Sequence, residues 1–296
     1  MELRHLRYFL AVGEALNFTK AAARLRVAQS ALSRQIQDLE DEIGVTLLRR
    51  SPRGVMLTAE GKLFLEEVRE LLKHADQSVE KVRALARGEY GELHIGYAPV
   101  PTTEILPLAL AAFQKAVPRV KVLLHDLSSD ELIAGLRNAT LELSIMIQPT
   151  DEQTVGIEFE ILRTYSWSVA LTAAHPFARL KSIPLEKLAA EPLVGLSRKD
   201  YPESYRFIER LFRSISAKPR IAVECDSASS LIMEVESGGI ALSTTVFERV
   251  AGKRLLYRPL TGTTDAAPSI GIARATKGEV TPAGEKFREI LRQKSI

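Results

Sequence analysis

Hydrophobic positions divide this 296-residue chain into regions of different spacing. Leu3, Leu6, Phe9 and Leu10 recur at helical intervals and predict a first short helix. Asn17-Phe18-Thr19 interrupts the pattern, with Thr19 placed to cap a second helix over Lys20–Leu25. Ala21, Ala22 and Ala23 in that helix are small enough to let a neighbouring helix approach closely. After a turn at Arg26-Val27, Leu32, Ile36, Leu39 and Ile43 make the apolar stripe of a third helix that runs to about Glu42. Gly44 suits its C-terminal cap. From Thr58 to about Arg87 there is no proline and only one glycine, Gly61, which predicts a single helix roughly 40 Å long. Its seam of Phe64, Val68, Leu71, Ala75, Val79, Val82 and Ala86 is too narrow to bury alone. A helix from a second subunit is the expected partner, and packing on the chain's own C-terminal part is the alternative.

Past a linker at Gly88 to Gly91 the period changes. Strands at Leu93–Tyr97, Val120–Leu124 and Leu141–Ile147 alternate with helices near Leu106–Ala116 and Asp130–Asn138, which predicts a parallel α/β sheet. A second set follows, with strands at Trp167–Thr172, Leu193–Leu196, Ile221–Glu224 and Ile240–Leu242. Its helices fall near Ser204–Ile215 and Ala228–Glu236. The tail adds a strand at Ile270–Ala273 and a helix from about Pro282. No tandem repeat or low-complexity tract interrupts the order.

Composition is that of an ordinary globular protein, 46% hydrophobic and 26% charged. The net charge of +3 is modest, and the excess of positive charge falls within residues 1–87. Cys225 is the single cysteine, which excludes an intramolecular disulfide and a two-cysteine redox switch. The N-terminus lacks an apolar signal core and no run reaches the ~18 apolar residues of a membrane span, so a cytoplasmic protein is expected. His5, His74, His94, His125 and His175 show no metal-ligand spacing. No cofactor loop, metal set or nucleophile–base pair is evident, and an enzyme is not expected.

The densest chemistry lies between Arg24 and Arg53. Gln29, Ser30, Ser33, Arg34 and Gln37 fall at the start and on the polar face of the third helix. Gln can bond adenine at two points, Arg can grip guanine, and Ser can donate or accept. A basic turn follows, Arg49-Arg50-Ser51-Pro52-Arg53-Gly54, suited to placing Arg50 and Arg53 against a duplex, with Arg53 beside or within a minor groove. The acidic run Asp38, Glu40, Asp41 and Glu42 would be repelled by phosphate and should face away. Either piece alone reads equally well as a solvated helix or a charged loop. In this order and spacing they point to double-stranded DNA.

These residues carry a resemblance to the LysR-type transcriptional regulators. The matching segments are Leu3-Arg4-His5-Leu6-Arg7-Tyr8-Phe9, Asn17-Phe18-Thr19-Lys20-Ala21-Ala22, Ala28-Gln29-Ser30-Ala31-Leu32-Ser33-Arg34-Gln35-Ile36, Leu39-Glu40, Leu47-Leu48-Arg49-Arg50 and Thr58-Ala59-Glu60-Gly61. Ala31 stands where many members have Pro, and Leu48 where Phe is common. The resemblance implies an α+β multidomain protein. It would comprise an N-terminal winged helix-turn-helix (1–58), a long linker helix for dimerisation (59–88) and a two-lobed, periplasmic-binding-protein-like (type 2) effector domain (89–296). Lobe I would take 91–162 and 268–296, and lobe II 163–267. It also implies a homotetramer built as a dimer of dimers on promoter DNA, a small-molecule inducer, and contact with RNA polymerase.

In such a fold the inducer sits between lobes, near strand C-termini and helix N-termini. Ala98 to Thr103, with Thr102, fits that chemistry, as does Ser128-Ser129-Asp130-Glu131, where Ser128 and Glu131 match a capping box. Ser197 and Arg198 follow a second-lobe strand, where Arg198 could hold a carboxylate. By the resemblance, Val100, Ser129, Ile147 and the Ser197-Arg198 loop line the pocket. Val100 lacks the hydroxyl that many acid-sensing relatives carry there, and Ser237 replaces the first glycine of the usual Gly-x-Gly. The inducer expected from the resemblance is an organic or aromatic acid. Trp167 reads as core and Cys225 as a buried structural thiol. Two other readings stay open: a DNA-tethered enzyme or solute-binding protein, and a ligand-independent architectural DNA-binding protein.

Overall fold

The computed structural model describes residues 1–51, 54–98, 102–263 and 267–295, with the backbone alone of Arg50, Ser51, Arg249 and Val250. The chain divides into two compact units, Met1–Ala84 and Leu85–Ile296.

In the first unit, α1 (Leu3–Ala15), α2 (Phe18–Leu25) and α3 (Gln29–Ile43) pack their apolar stripes into one core. Phe9, Val12, Ala21, Leu32, Ile36 and Leu39 are at its centre, while Ile43 is only partly covered. The cap of α2 is Asn17, not Thr19. Asn17 is extended, and its Oδ1 accepts the Lys20 N–H at 3.0 Å, so the helix starts two residues earlier than Thr19 would allow. Only Arg26, Val27 and Ala28 separate α2 from α3, with Arg26 in the left-handed region (φ 57°). Gly44 closes α3 at φ 77°, a conformation that glycine adopts without strain.

A two-stranded wing follows. β1 (Leu48–Ser51) pairs antiparallel with β2 (Gly54–Leu57). The Thr58 hydroxyl donates to the Thr46 and Leu47 carbonyls and accepts the Gly61 N–H at 2.8 Å, which ties the wing to the start of α4 (Ala59–Ala86). A Cβ at Gly61 would overlap the Leu47 carbonyl, so the one glycine of this helix is needed for the wing to dock.

At 28 residues, α4 has the expected length of roughly 40 Å. Its seam divides. Val68 and Leu72 are buried in the core of the first unit, with Phe64 and Leu65 packed against it. Leu71, Val79 and Val82 remain exposed. The expectation of one continuous unpaired seam is therefore corrected, because the first turns are already covered by α1 to α3.

The second unit holds two lobes. In the first, β3 (Gly91–Tyr97), α5 (Leu106–Ala116), β4 (Val120–Asp126), α6 (Ser129–Arg137), β5 (Leu143–Ile147) and β6 (Ile157–Thr164) are joined by β13 (Ser269–Ala275) and the C-terminal helix Pro282–Ser295. The sheet order is β4-β3-β5-β13-β6. β3 pairs parallel with β4 and β5, but β13 runs antiparallel to both β5 and β6, so the sheet is mixed where a parallel one was expected. The late segment returns from the other lobe and enters the sheet from the opposite end.

The second lobe contains β7 (Trp167–Leu171), β8 (Ile183–Pro184), α7 (Leu185–Leu188), β9 (Leu193–Leu196), α8 (Pro202–Arg213), β10 (Ile221–Cys225), α9 (Ala228–Glu236), β11 (Ala241–Thr244), α10 (Phe247–Ala251) and β12 (Leu256–Thr261). β11, β7, β12 and β8 form one sheet, and β9 and β10 a parallel pair. The chain passes between lobes twice, after β6 and before β13. There Thr164 and Ser269 face each other, their hydroxyl oxygens 2.9 Å apart.

Candidate functional site

On α3 the buried stripe of Leu32, Ile36 and Leu39 turns the opposite face outward. Gln29, Ser30, Arg34 and Gln37 are exposed and Ser33 is half-buried. The start of α3 is capped by Ala28 without a side-chain bond. The acidic end is engaged within the unit. Glu40 accepts the backbone N–H groups of Leu47 and Leu48 at 2.6 and 2.8 Å, holding the wing's first strand. Glu42 pairs with the N-terminal ammonium, and Asp38 accepts from Gln35 at 3.2 Å. The backbone of Arg50 lies in β1 and Arg49 is exposed there. The Arg50 side chain and all of Arg53 lie outside the described residues.

A cleft cavity of about 100 Å³ lies between the lobes of the second unit. Its apolar wall includes Ile147, Trp167, Leu196, Phe207, Leu231 and Phe247, and its polar lining includes Ser129, Tyr201, Glu203, Ser243 and Thr244. Glu203, on the first turn of α8, is 1% exposed. Its Oε1 accepts the Ser129 hydroxyl at 2.6 Å, a bond from one lobe to the other, while Oε2 is buried without a partner. Burial pushes the Glu203 carboxyl up to about 7. The Ser129 hydrogen bond opposes the shift and the Asp130 charge adds to it. Trp167 Nε1 is likewise buried and unpartnered. A second inter-lobe tie joins Arg206 to Glu152 at 2.7 Å.

A second pocket that shares Tyr201 with this cavity is acidic. Asp126, Asp130, Glu131, Asp200 and Asp226 line it with Lys199. Burial, with the charges of Asp126 and Glu203, raises the Tyr201 phenol, and burial raises Asp126. Among the described residues, no group of three or more His, Cys, Asp or Glu side chains could hold a metal ion.

Two family models match the chain: a bacterial regulatory helix-turn-helix protein of the lysR family over residues 3–62, and a LysR substrate binding domain over residues 86–295. The chain belongs to the LysR family. It is a transcriptional regulator with a DNA-binding helix-turn-helix unit and an effector-binding domain. Among LysR relatives, the HTH-type transcriptional regulator AlsR of Bacillus subtilis (strain 168) is 36% identical over 261 residues, covering 88% of this chain and 86% of AlsR. The regulator TcbR of Pseudomonas sp. (strain P51) is 35% identical, covering 86% of this chain and 85% of TcbR. Full-length CbnR in complex with its target DNA superposes with a TM-score of 0.82 at 30% identity, covering 100% of both chains.

Within this LysR chain, the residues expected at the effector site separate into groups. Ser129 and Ile147 line the cavity. Ser128 caps α6 and borders the acidic second pocket, with its backbone N–H and hydroxyl donating to Glu131 at 2.9 and 2.8 Å. Thr102 is buried, its hydroxyl donating to the Ala98 carbonyl at 2.7 Å, and it is not part of the cavity wall. Ser197 donates its N–H to the Cys225 carbonyl, and the exposed Arg198 lies over the Tyr205 ring at 4.7 Å. Neither belongs to the wall. Val100 lies outside the described residues.

Tyr201, at the end of the Ser197–Tyr201 stretch expected at the cleft, lines the cavity, while sequence reasoning missed Glu203, Phe207 and Phe247. The Tyr201-Pro202-Glu203 run, a Pro at the first helical position followed by an acid, marks a helix start and gives no sign of burial. Trp167 is core, as expected, and also cavity wall. Cys225 is buried, and burial, with Glu234 and Asp226, raises its thiol, which suits an inert structural role.

Proposed function

We propose that this LysR-family regulator reads an operator through Gln29, Ser30, Ser33, Arg34 and Gln37, with Arg50 and Arg53 of the wing on the adjoining backbone or minor groove. The observation that carries the reading is the outward face of α3, where four of these five side chains are exposed while Glu40 of the same helix is taken up by the wing strand and Glu42 by the N-terminal ammonium. CbnR, similar over its whole length, is solved with its target DNA. The exposed Leu71, Val79 and Val82 of α4 support pairing with a second copy, so the operator has two half-sites, and two such dimers assemble as a tetramer. A small molecule in the inter-lobe cleft alters the lobes' arrangement and through it DNA geometry and contact with RNA polymerase. The protein acts in the cytoplasm, without turnover of its ligand.

Replacing Arg34 by Ala tests the reading. In anisotropy titrations of the full chain at fixed salt, operator affinity should fall by about 10- to 100-fold, while binding to unrelated DNA changes little. Unchanged operator affinity would overturn it.

A further inference from the structure

The chemistry of the cleft does not suit the organic acid expected from the sequence. Among the described residues, no Lys, Arg or His lines the cavity. The candidate carboxylate anchor, Arg198, is turned onto Tyr205 outside the wall. Among the described residues, the one ionisable carboxyl inside is Glu203, buried with an unpartnered oxygen, and the neighbouring pocket that shares Tyr201 is lined by five acids against one lysine. A buried carboxylate without a counter-charge is costly, and an anionic ligand beside it would add repulsion.

We propose that the effector of this cleft is an organic amine, a protonated ammonium on a compact apolar body, with the ammonium donating to Glu203. This deepens the effector reading given above and rests on it. The acids of the neighbouring pocket give this side of the cleft a negative potential that favours cations over carboxylates. Inside, the ammonium supplies the missing partner of Glu203 Oε2, and the rings of Trp167, Phe207 and Phe247 offer apolar and cation-attracting surfaces to the body. The unpartnered Trp167 Nε1 can donate to an oxygen of the same molecule. Glu203 also bonds Ser129 across the cleft, so a ligand on this carboxyl acts directly on a contact that joins the lobes. Burial lifts this carboxyl to about 7, and that lift reports the same lack of counter-charge.

The test uses the full chain and matched probes that differ only in the polar group: benzylamine, benzyl alcohol and benzoate, with butylamine, butanol and butyrate as a second series. Thermal melts and calorimetric titration at pH 7.5 should show an amine binding at least tenfold tighter than its carboxylate and alcohol partners. Glu203→Gln should remove that preference while the protein still melts cooperatively. The wild-type comparison stands on its own if that variant fails to fold. Carboxylates binding as well as or better than amines, or amines and alcohols binding alike and independently of Glu203, would overturn the amine assignment and leave the effector cleft standing. If none of the six binds, the amine assignment fails. Mass spectrometry of small molecules retained by the purified chain then separates the two readings. A retained acid or neutral compound preserves the effector cleft, and an empty chain removes it.

Discussion

In the N-terminal unit the side chains proposed to meet a ligand stand in water, and in the C-terminal unit they are sealed from it. Gln29, Ser30, Arg34 and Gln37 are exposed on α3, whereas Ser129 and Glu203 are 2% and 1% exposed. The first arrangement costs little stability, because each polar group keeps its hydration until DNA replaces it. The second places a carboxyl in a poorly solvated cleft, where burial raises its proton affinity. A surface reader therefore depends on the frame behind it, while a buried reader loads its own frame.

The contrast breaks most sharply at Leu32, fully buried beneath the reading face. Leu32→Ala should lower the stability of the N-terminal unit by about 2–5 kcal/mol. Calorimetry should show that unit melting earlier and operator binding lost, with the cleft unit's transition unmoved. A common shift of both transitions would contradict the division into independent units.

Glu203→Gln sharpens the other side. Below its ordinary value of 4.5 the carboxyl is protonated in both folded and unfolded chains and contributes nothing. Between 4.5 and about 7 the folded chain keeps the proton that the unfolded chain releases, so stability falls as pH rises, and above about 7 the full penalty applies. The variant should thus gain roughly 3 kcal/mol over wild type at pH 8 and almost nothing at pH 4. Chemical denaturation at the two pH values decides it, and an equal difference at both would remove the ionisation argument.

The smallest effect is expected at Asn17, which caps α2. Asn17→Ala should cost about 1 kcal/mol in the N-terminal unit and leave the cleft's probe binding unchanged. A loss confined to operator affinity, with no change in melting, would show Asn17 acting on DNA instead of on the helix.

The outward face of α3, proposed to read DNA, was legible as a face because its residues lie within one helix. A 3.6-residue period places Leu32, Ile36 and Leu39 inward, and Ser30, Arg34 and Gln37 then have only the outer face left. The capping box at Ser128 and Glu131 was legible for the same reason, since its partners are three residues apart. The cavity was less so. Ser129 and Ile147 came from the resemblance, with Ser129 also at a helix start, but Glu203 meets Ser129 across 74 residues of chain, and nothing near position 203 signals burial. The antiparallel entry of Ser269–Ala275 into the first sheet likewise depends on a return from the other lobe.

The sequence by itself determined the local elements: the three short helices, the long helix after Thr58, the alternation beyond Gly91, and the chemistry of the third helix. Helical period, capping and turn residues act over a few positions, so these could be read without knowing what packs on what. Tertiary structure alone decided how far the seam of α4 is covered, that Glu40 holds the wing, and that the cleft presents a carboxyl instead of a cation. Those outcomes follow from desolvation and from hydrogen bonds between distant segments, quantities that exist only once the chain has folded.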